Sequence, residues 1–172
     1  MVLQILVPQY NEDEKVVSNL LDSLKSQRGV NFDDFGVIII NDGSDITLSK
    51  EFLESYPFKI EYYLQEHKGV SAVRNELMRK ATSEFIMFAD ADDCFSSNIG
   101  IYTILKECEA GFDMLYSKFS EETCTDGKFS YANHVRDIIF VHGKVFRLKA
   151  LIEKDLWWNE EVHVHEDSYF NV

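Results

Sequence analysis

Short strand-like apolar runs alternate with amphipathic stretches along the chain, and this alternation limits the possible folds more than any other feature. Val2–Val7 has the pattern of a buried strand ended by Pro8. Val16, Val17, Leu20, Leu21 and Leu24 follow at helical spacing, with Lys25 and Arg28 in the last turn and Gly29 after it. Val37–Ile40 is a second β-branched strand, closed by the turn Asn41-Asp42-Gly43-Ser44. Ile46–Ser55 reads as a helix stopped by Pro57, and Phe58–Leu64 as a third strand. Val70–Ala81 reads as a helix with Val70, Val73, Leu77 and Met78 on one face. Glu84–Ala89 is a fourth strand that runs into Asp90-Ala91-Asp92-Asp93; Ile99–Cys108 is again helical and Met114–Lys118 strand-like. Near-continuous apolar strands separated by helices predict an α/β chain with a mostly parallel sheet flanked by helices. Ligands of such sheets sit beyond the carboxyl ends of the strands. Pro8–Glu12, Asn41–Ser44 and Asp90–Asp93 therefore share one rim although they lie far apart in sequence.

The later part is less regular. Thr125-Asp126-Gly127 predicts a hairpin turn. Ile138–Val141, Val145–Leu151 and Trp157-Trp158 read as further strand and helix pieces, and Ser168–Val172 as the opening of a helix. The two tryptophans are core residues or, alternatively, the lining of a ligand groove. A length of 172 residues fits one domain. At 13% aromatic the chain is too rich in such residues for disorder. A formal net charge of −13 excludes a phosphate-tracking nucleic-acid binder and a polybasic membrane-surface helix, and it means that a phosphorylated ligand needs a divalent cation beside it. No run approaches the roughly 20 apolar residues of a membrane span. Val2–Val7 is too short for a signal core and lacks a basic segment before it. Cys94, Cys108 and Cys124 are odd in number and form no Cys-x-x-Cys, so reduced thiols and a cytoplasmic protein are expected.

Three carboxylates in four residues follow the fourth strand. If strand geometry persists, Asp90 and Asp92 point the same way, and a hard cation such as Mg²⁺ or Mn²⁺ is the natural neutraliser of their repulsion. The alternative is a solvated acidic loop in which Asp93 or Ser96 caps the next helix. Asp42 can accept hydrogen bonds from a nucleoside, or it can serve only the turn. Tyr10 can stack on a base and Asn11 can cap the following helix. Arg74, after Gly69, supplies a permanently charged fork for a carboxylate, unless it is a surface residue of an amphipathic helix. Neither a P-loop nor a Gly-x-Gly-x-x-Gly fingerprint is present. His142 is a candidate for a metal or supporting role. His163-x-His165 suggests a transition-metal pair, although spacing two also fits one face of a strand.

Taken together, Ile5-Leu6-Val7-Pro8-Gln9-Tyr10-Asn11-Glu12, Ile40-Asn41-Asp42-Gly43-Ser44, Gly69-Val70-Ser71-Ala72-Val73-Arg74-Asn75, Asp90-Ala91-Asp92-Asp93 and Glu166-Asp167 resemble the family 2 glycosyltransferases, in that family's order and approximate spacing. The resemblance implies the Rossmann-like GT-A fold in a single domain. Residues 1–93 would be its nucleotide-binding half and 94–172 its acceptor and catalytic-base half, lacking the family's C-terminal acceptor-side segments. It implies inverting transfer from a nucleotide-diphosphate sugar, by family habit a UDP-sugar, to a carbohydrate or glycoconjugate acceptor, with Mn²⁺ or Mg²⁺ as cofactor. Pro8, Tyr10, Glu12 and Asp42 would line the nucleoside pocket, with Arg74 beside it or bracing the acidic cluster. Asp90 would lie near the ribose and share the metal with Asp92. Asp167 would be the base, with Glu166 as the alternative. A truncated copy that binds a nucleotide without turnover, or a metal-dependent nucleotidyltransferase, are the competing readings. His67 stands where the family often has Asn, and His142-Gly143-Lys144-Val145-Phe146-Arg147 where Trp-Asn-Lys-Leu-Tyr-Arg is common.

Overall fold

The computed structural model describes residues 1–135, 140–162 and 166–170. The chain runs β1 (Leu3–Gln9), α1 (Glu14–Lys25), β2 (Phe35–Asp42), α2 (Lys50–Glu54), β3 (Lys59–Gln65), α3 (Val70–Lys80), β4 (Phe85–Phe88), α4 (Gly100–Ala110), β5 (Met114–Tyr116), β6 (Phe119–Thr125), β7 (Lys128–His134), β8 (Lys144–Arg147), α5 (Leu148–Glu153) and α6 (Glu166–Phe170). Six strands form the main sheet in the order β3-β2-β1-β4-β8-β5, and β6 pairs with β7 in a separate hairpin. Strands β1 to β4 are mutually parallel, while β8 runs antiparallel to both β4 and β5.

The apolar runs are continuous because both faces of the sheet are covered. On one face Leu3, Ile5, Val7, Val37, Ile39, Phe85 and Met87 pack with Val17, Leu20, Leu21 and Leu24 of α1 and with Ile101, Ile104 and Cys108 of α4. On the other, Leu6, Ile38, Ile40, Ile86 and Phe88 pack with Val73, Leu77 and Met78 of α3 and with Leu148 and Leu151 of α5. The alternation of faces along each strand follows the two-residue period of extended backbone.

Several expectations shift at their edges. Helix α2 begins only at Lys50, because the Ser49 side chain accepts from the Phe52 backbone N–H and caps it there. Asn11 does not cap α1. It takes a positive φ of 71° and donates its N–H to Ser44 Oγ at 2.8 Å, while Asp13 is the cap, accepting from Val16 N–H at 2.9 Å. Helix α4 has no side-chain cap, so neither Asp93 nor Ser96 serves it. Val70 opens α3 above the rim and is exposed, whereas Val73, Leu77 and Met78 are buried as expected. Trp158 is 2% exposed and stacks on Phe170 at 4.2 Å, so it belongs to the core. The histidine pair His163 and His165, and Ile138 and Ile139 of the Ile138–Val141 piece, lie outside the described residues.

Candidate active site

The carboxyl ends of β1, β2 and β4 lie side by side because these strands are parallel neighbours. The segments that follow them enclose a cavity of about 260 Å³, lined by Pro8, Gln9, Tyr10, Glu12, Asp42, His67, Val70, Val73, Asp90, Ala91 and Asp92. The structure thus gathers Pro8, Tyr10, Glu12, Asp42, Asp90 and Asp92 around one space. His67 and Val70 join them from the β3–α3 connection.

Asp42 is the buried anchor of that connection. Its carboxylate accepts from Gln65 Nε2 at 2.8 Å and from the backbone N–H groups of Lys68 at 2.9 Å and Gly69 at 2.8 Å. His67 Nδ1 lies 2.9 Å from Asp42 Oδ2 and 3.0 Å from its carbonyl oxygen. One carboxylate therefore satisfies the donors of a whole loop that would otherwise sit at a helix start without partners. Gly43 makes the approach possible: its φ is +73°, and a Cβ there would meet the His67 backbone N at 2.6 Å. Gly43→Ala is expected to cost at least about 1–2 kcal/mol from the left-handed backbone alone, read as a lower melting temperature. An unchanged melt would mean that the loop does not need this contact.

Tyr10 is half exposed, and its ring lies 4.5 Å from that of His67. Glu12 turns back to accept from the Tyr10 N–H at 2.6 Å, which fixes the bend after Pro8. Asn41 braces the neighbouring turn, accepting from Ser44 N–H and donating to the Ile46 carbonyl and Tyr62 Oη.

Arg74 is the centre of the second half of the site. It is 2% exposed, so the amphipathic-surface alternative fails. Its Nη2 donates to Asp90 Oδ1 at 3.1 Å, and its Nη1 to Glu166 Oε1 at 3.2 Å and Asp167 Oδ1 at 2.9 Å. The guanidinium lies 4.4 Å from the Trp158 ring. Three carboxylates in one low-dielectric space repel one another, and a planar, permanently charged fork is the side chain suited to joining them. The next residue, Asn75, is also buried and clips the Trp158 backbone through both its amide groups. Asp167 Oδ2 additionally accepts from the Val141 N–H at 3.0 Å.

The acidic loop does not stay extended. Asp93 N–H donates to the Asp90 carbonyl at 3.1 Å, and Asp93 Oδ2 accepts from the Asp90 N–H at 3.0 Å, which closes a tight turn. Asp90 is therefore drawn toward Arg74, while Asp92 stands exposed at the cavity wall. The antiparallel register of β8 on β4, continued past its last pair, sets His142 opposite Asp90. His142 Nε2 indeed lies 3.1 Å from Asp90 Oδ2 and 3.6 Å from Asp93 Oδ2. Burial alone would raise the Asp90 carboxyl; the hydrogen bond from His142 and the charge of Arg74 outweigh it and hold Asp90 at about 2. The same bond to Asp90 raises His142 despite burial, and burial pushes Asp93 up.

The donor atoms of Asp90, Asp93 and His142 lie within 4.8 Å of one another, and Asp92 lines the same cavity as Asp90. Carboxylate oxygens with one imidazole suit Mn²⁺, and oxygen alone suits Mg²⁺, so the residues present fit a divalent cation. The grouping of Asp93 with His142 was not legible from spacing, because it depends on the β4–β8 register. Among the described residues no helix is long and apolar enough to cross a membrane.

A mostly parallel sheet with a cavity at its carboxyl rim and the antiparallel β8 beside β4 has the arrangement of the GT-A fold. The family model for "Glycosyl transferase family 2" matches residues 4–165, and the chain belongs to that family. A curated relative, the poly(ribitol-phosphate) beta-glucosyltransferase of Bacillus spizizenii, is 26% identical over 100% of this chain and 29% of its own length. S. aureus TarS 1-349 in complex with UDP superposes with a TM-score of 0.76 at 22% identity, covering 99% of this chain and 54% of that one. The mannosyltransferase PcManGT from Pyrobaculum calidifontis, in complex with GDP-Man and Mn²⁺, superposes at 0.67 and 19% identity, covering 98% of this chain and 50% of that one. The chain spans between 13% and 55% of the length of the curated relatives it matches.

Proposed function

We propose that this chain carries the donor-binding and catalytic core of an inverting glycosyltransferase that moves a sugar from a UDP-sugar to an acceptor hydroxyl in the synthesis of a cell-surface polymer of the teichoic acid or polysaccharide kind. The observation that carries the reading is the convergence of Tyr10, Asp42, Asp90 and Asp92 on one cavity, with Arg74 tying the acidic loop to Glu166 and Asp167. The similarity to the poly(ribitol-phosphate) beta-glucosyltransferase of Bacillus spizizenii supports the polymer, and that to the UDP complex of TarS supports the donor.

In this reading residues 1–93 hold the donor and 94–172 the acceptor side. Tyr10 covers the base, Pro8 and Glu12 shape the bend beneath it, and Asp42 orders the loop that closes the cavity. Asp92 and Asp90 would hold a Mn²⁺ or Mg²⁺ ion, which when bound would offset the charge of the diphosphate leaving group. Inversion is a single displacement at the anomeric carbon: the acceptor oxygen forms the new bond as the bond to the diphosphate breaks. The acceptor proton passes to Asp167, with Glu166 as the alternative, and Arg74 holds both carboxylates in place. No covalent enzyme intermediate is needed.

A thermal-shift panel of nucleotide-diphosphate sugars, each with Mn²⁺ and with chelator, tests the reading. UDP-sugars with Mn²⁺ are expected to raise the melting temperature; no shift with any donor would contradict it. Asp92→Ala is expected to abolish the Mn²⁺-dependent part of UDP binding in calorimetry, and unchanged affinity would remove Asp92 as the metal residue.

A further inference from the structure

Asp92, the exposed acid of the β4–α4 connection, stands between two anchors. On one side Ala91 is 3% exposed and packs in the core. On the other side the chain leaves through Asp93 and Cys94 into residues 95–99, which contain neither helix nor strand. That exit is held from outside, by the last turn of α1 and the residues just after it. The Phe95 N–H donates to Ser23 Oγ at 2.9 Å, and the Arg28 N–H donates to the Asn98 carbonyl at 2.7 Å.

Gln27 is the centre of this hold. It is 6% exposed, and its amide is used at both ends. Nε2 donates to the Ser97 carbonyl at 2.7 Å and to the Ser23 carbonyl at 3.1 Å, while Oε1 accepts from the Ile101 N–H at 2.9 Å. Helix α4 has no side-chain cap from the residue before it, so Gln27 satisfies one of the N–H groups its first turn leaves open. All three partners are backbone groups, so Gln27 fixes the path of the chain rather than the pose of a side chain. The path it fixes begins close to the acids. Phe95 lies three residues past Asp92, at most about 10 Å of extended chain. With the exit held, Asp92 is already in place before a ligand arrives. With the exit free, Asp92 would be in place for only part of the time, and apparent affinity falls by that fraction. The demand is steeper for Mg²⁺, which requires near-ideal octahedral geometry, than for Ca²⁺, which accepts irregular sets of oxygens.

Resting on the reading of Asp92 and Asp90 as the cation residues, we propose that Gln27, together with Ser23, is a positioning residue for Asp92. From the end of α1 it fixes the exit of the acidic loop, and so sets how well the site accepts a small, geometrically demanding cation.

Calorimetry of UDP binding in chelator, in Mg²⁺ and in Ca²⁺ tests this on the native protein, Gln27→Met and Ser23→Ala. Gln27→Met keeps an unbranched side chain but loses all three hydrogen bonds. It is expected to bind UDP in chelator as the native protein does. In Mg²⁺ it should lose about tenfold in affinity, as for a loop in place about one tenth of the time, and in Ca²⁺ less than about threefold. Ser23→Ala removes the single bond to Phe95 and should show the same order at about threefold in Mg²⁺. A residue that merely supports the fold would not separate Mg²⁺ from Ca²⁺. Equal losses in all three conditions, or no loss in Mg²⁺, overturn the positioning role while leaving the nucleotide site standing. If Gln27→Met does not fold, Ser23→Ala decides by the same pattern. A native UDP affinity that no cation raises overturns the cation reading, and this role with it.

Discussion

Replacing Arg74 with Met should lower the melting temperature by about 6–20 °C. The side chain is buried and joins Asp90, Glu166 and Asp167, so its loss leaves carboxylates facing one another without a cation. Breaking a buried ion pair from one side costs about 3–5 kcal/mol, and a domain of this size loses about 2–4 °C per kcal/mol. Met keeps the apolar stem and contact with Trp158, which separates the loss of charge from the loss of packing. Arg74→Lys should recover only part of the stability, since a point charge cannot serve two carboxylate directions as the fork does. A melt within 1–2 °C of native for Arg74→Met, roughly the scale of a surface substitution, would mean that the triad of acids does not depend on this residue.

The second large effect is expected in turnover. Asp167→Asn should reduce transfer by about 10²–10⁴-fold, the range for loss of a general base, while leaving UDP affinity within about twofold. The carboxylate is held from two sides, by Arg74 on Oδ1 and the Val141 N–H on Oδ2. An amide can accept from only one of these, so a modest fall in melting temperature accompanies the change. Glu166 shares the same guanidinium but is more exposed, its side chain at 20% against 11%. Glu166→Gln is the companion measurement. Full transfer in Asp167→Asn together with loss in Glu166→Gln would move the base to Glu166.

The rim was legible because its signals are local. An apolar run ending in Pro8, another ending in Asn41-Asp42-Gly43, and a third ending in Asp90 each announce a strand and its carboxyl end. Parallel neighbours then bring the three together without further information. What was not legible depends on pairing over long separations. Strand β8 is four residues with a Lys at one end and an Arg at the other, and it becomes a strand only by lying between β4 and β5. His142 reaches Asp90 through that register, and Arg74 meets Glu166 and Asp167 across more than ninety residues. The extended geometry assumed for Asp90 and Asp92 failed for a local reason, since Asp93 hydrogen-bonds back to Asp90 and folds the loop. The place of Asp42 at a strand end points to a nucleoside or to a turn. Its engagement by the β3–α3 loop depends on the folded path of that loop, which turns the Lys68 and Gly69 N–H groups onto it.

A nucleoside diphosphate is expected to bind at the joined carboxyl ends of β1, β2 and β4. Backbone amide chemical-shift mapping of the ¹⁵N-labelled protein on titration with UDP and Mg²⁺ tests it directly. Saturable shifts are expected at Tyr10, Gly43, His67, Gly69 and Ala91, with the β6–β7 hairpin unchanged. Shifts centred elsewhere, or none at millimolar UDP, would contradict it.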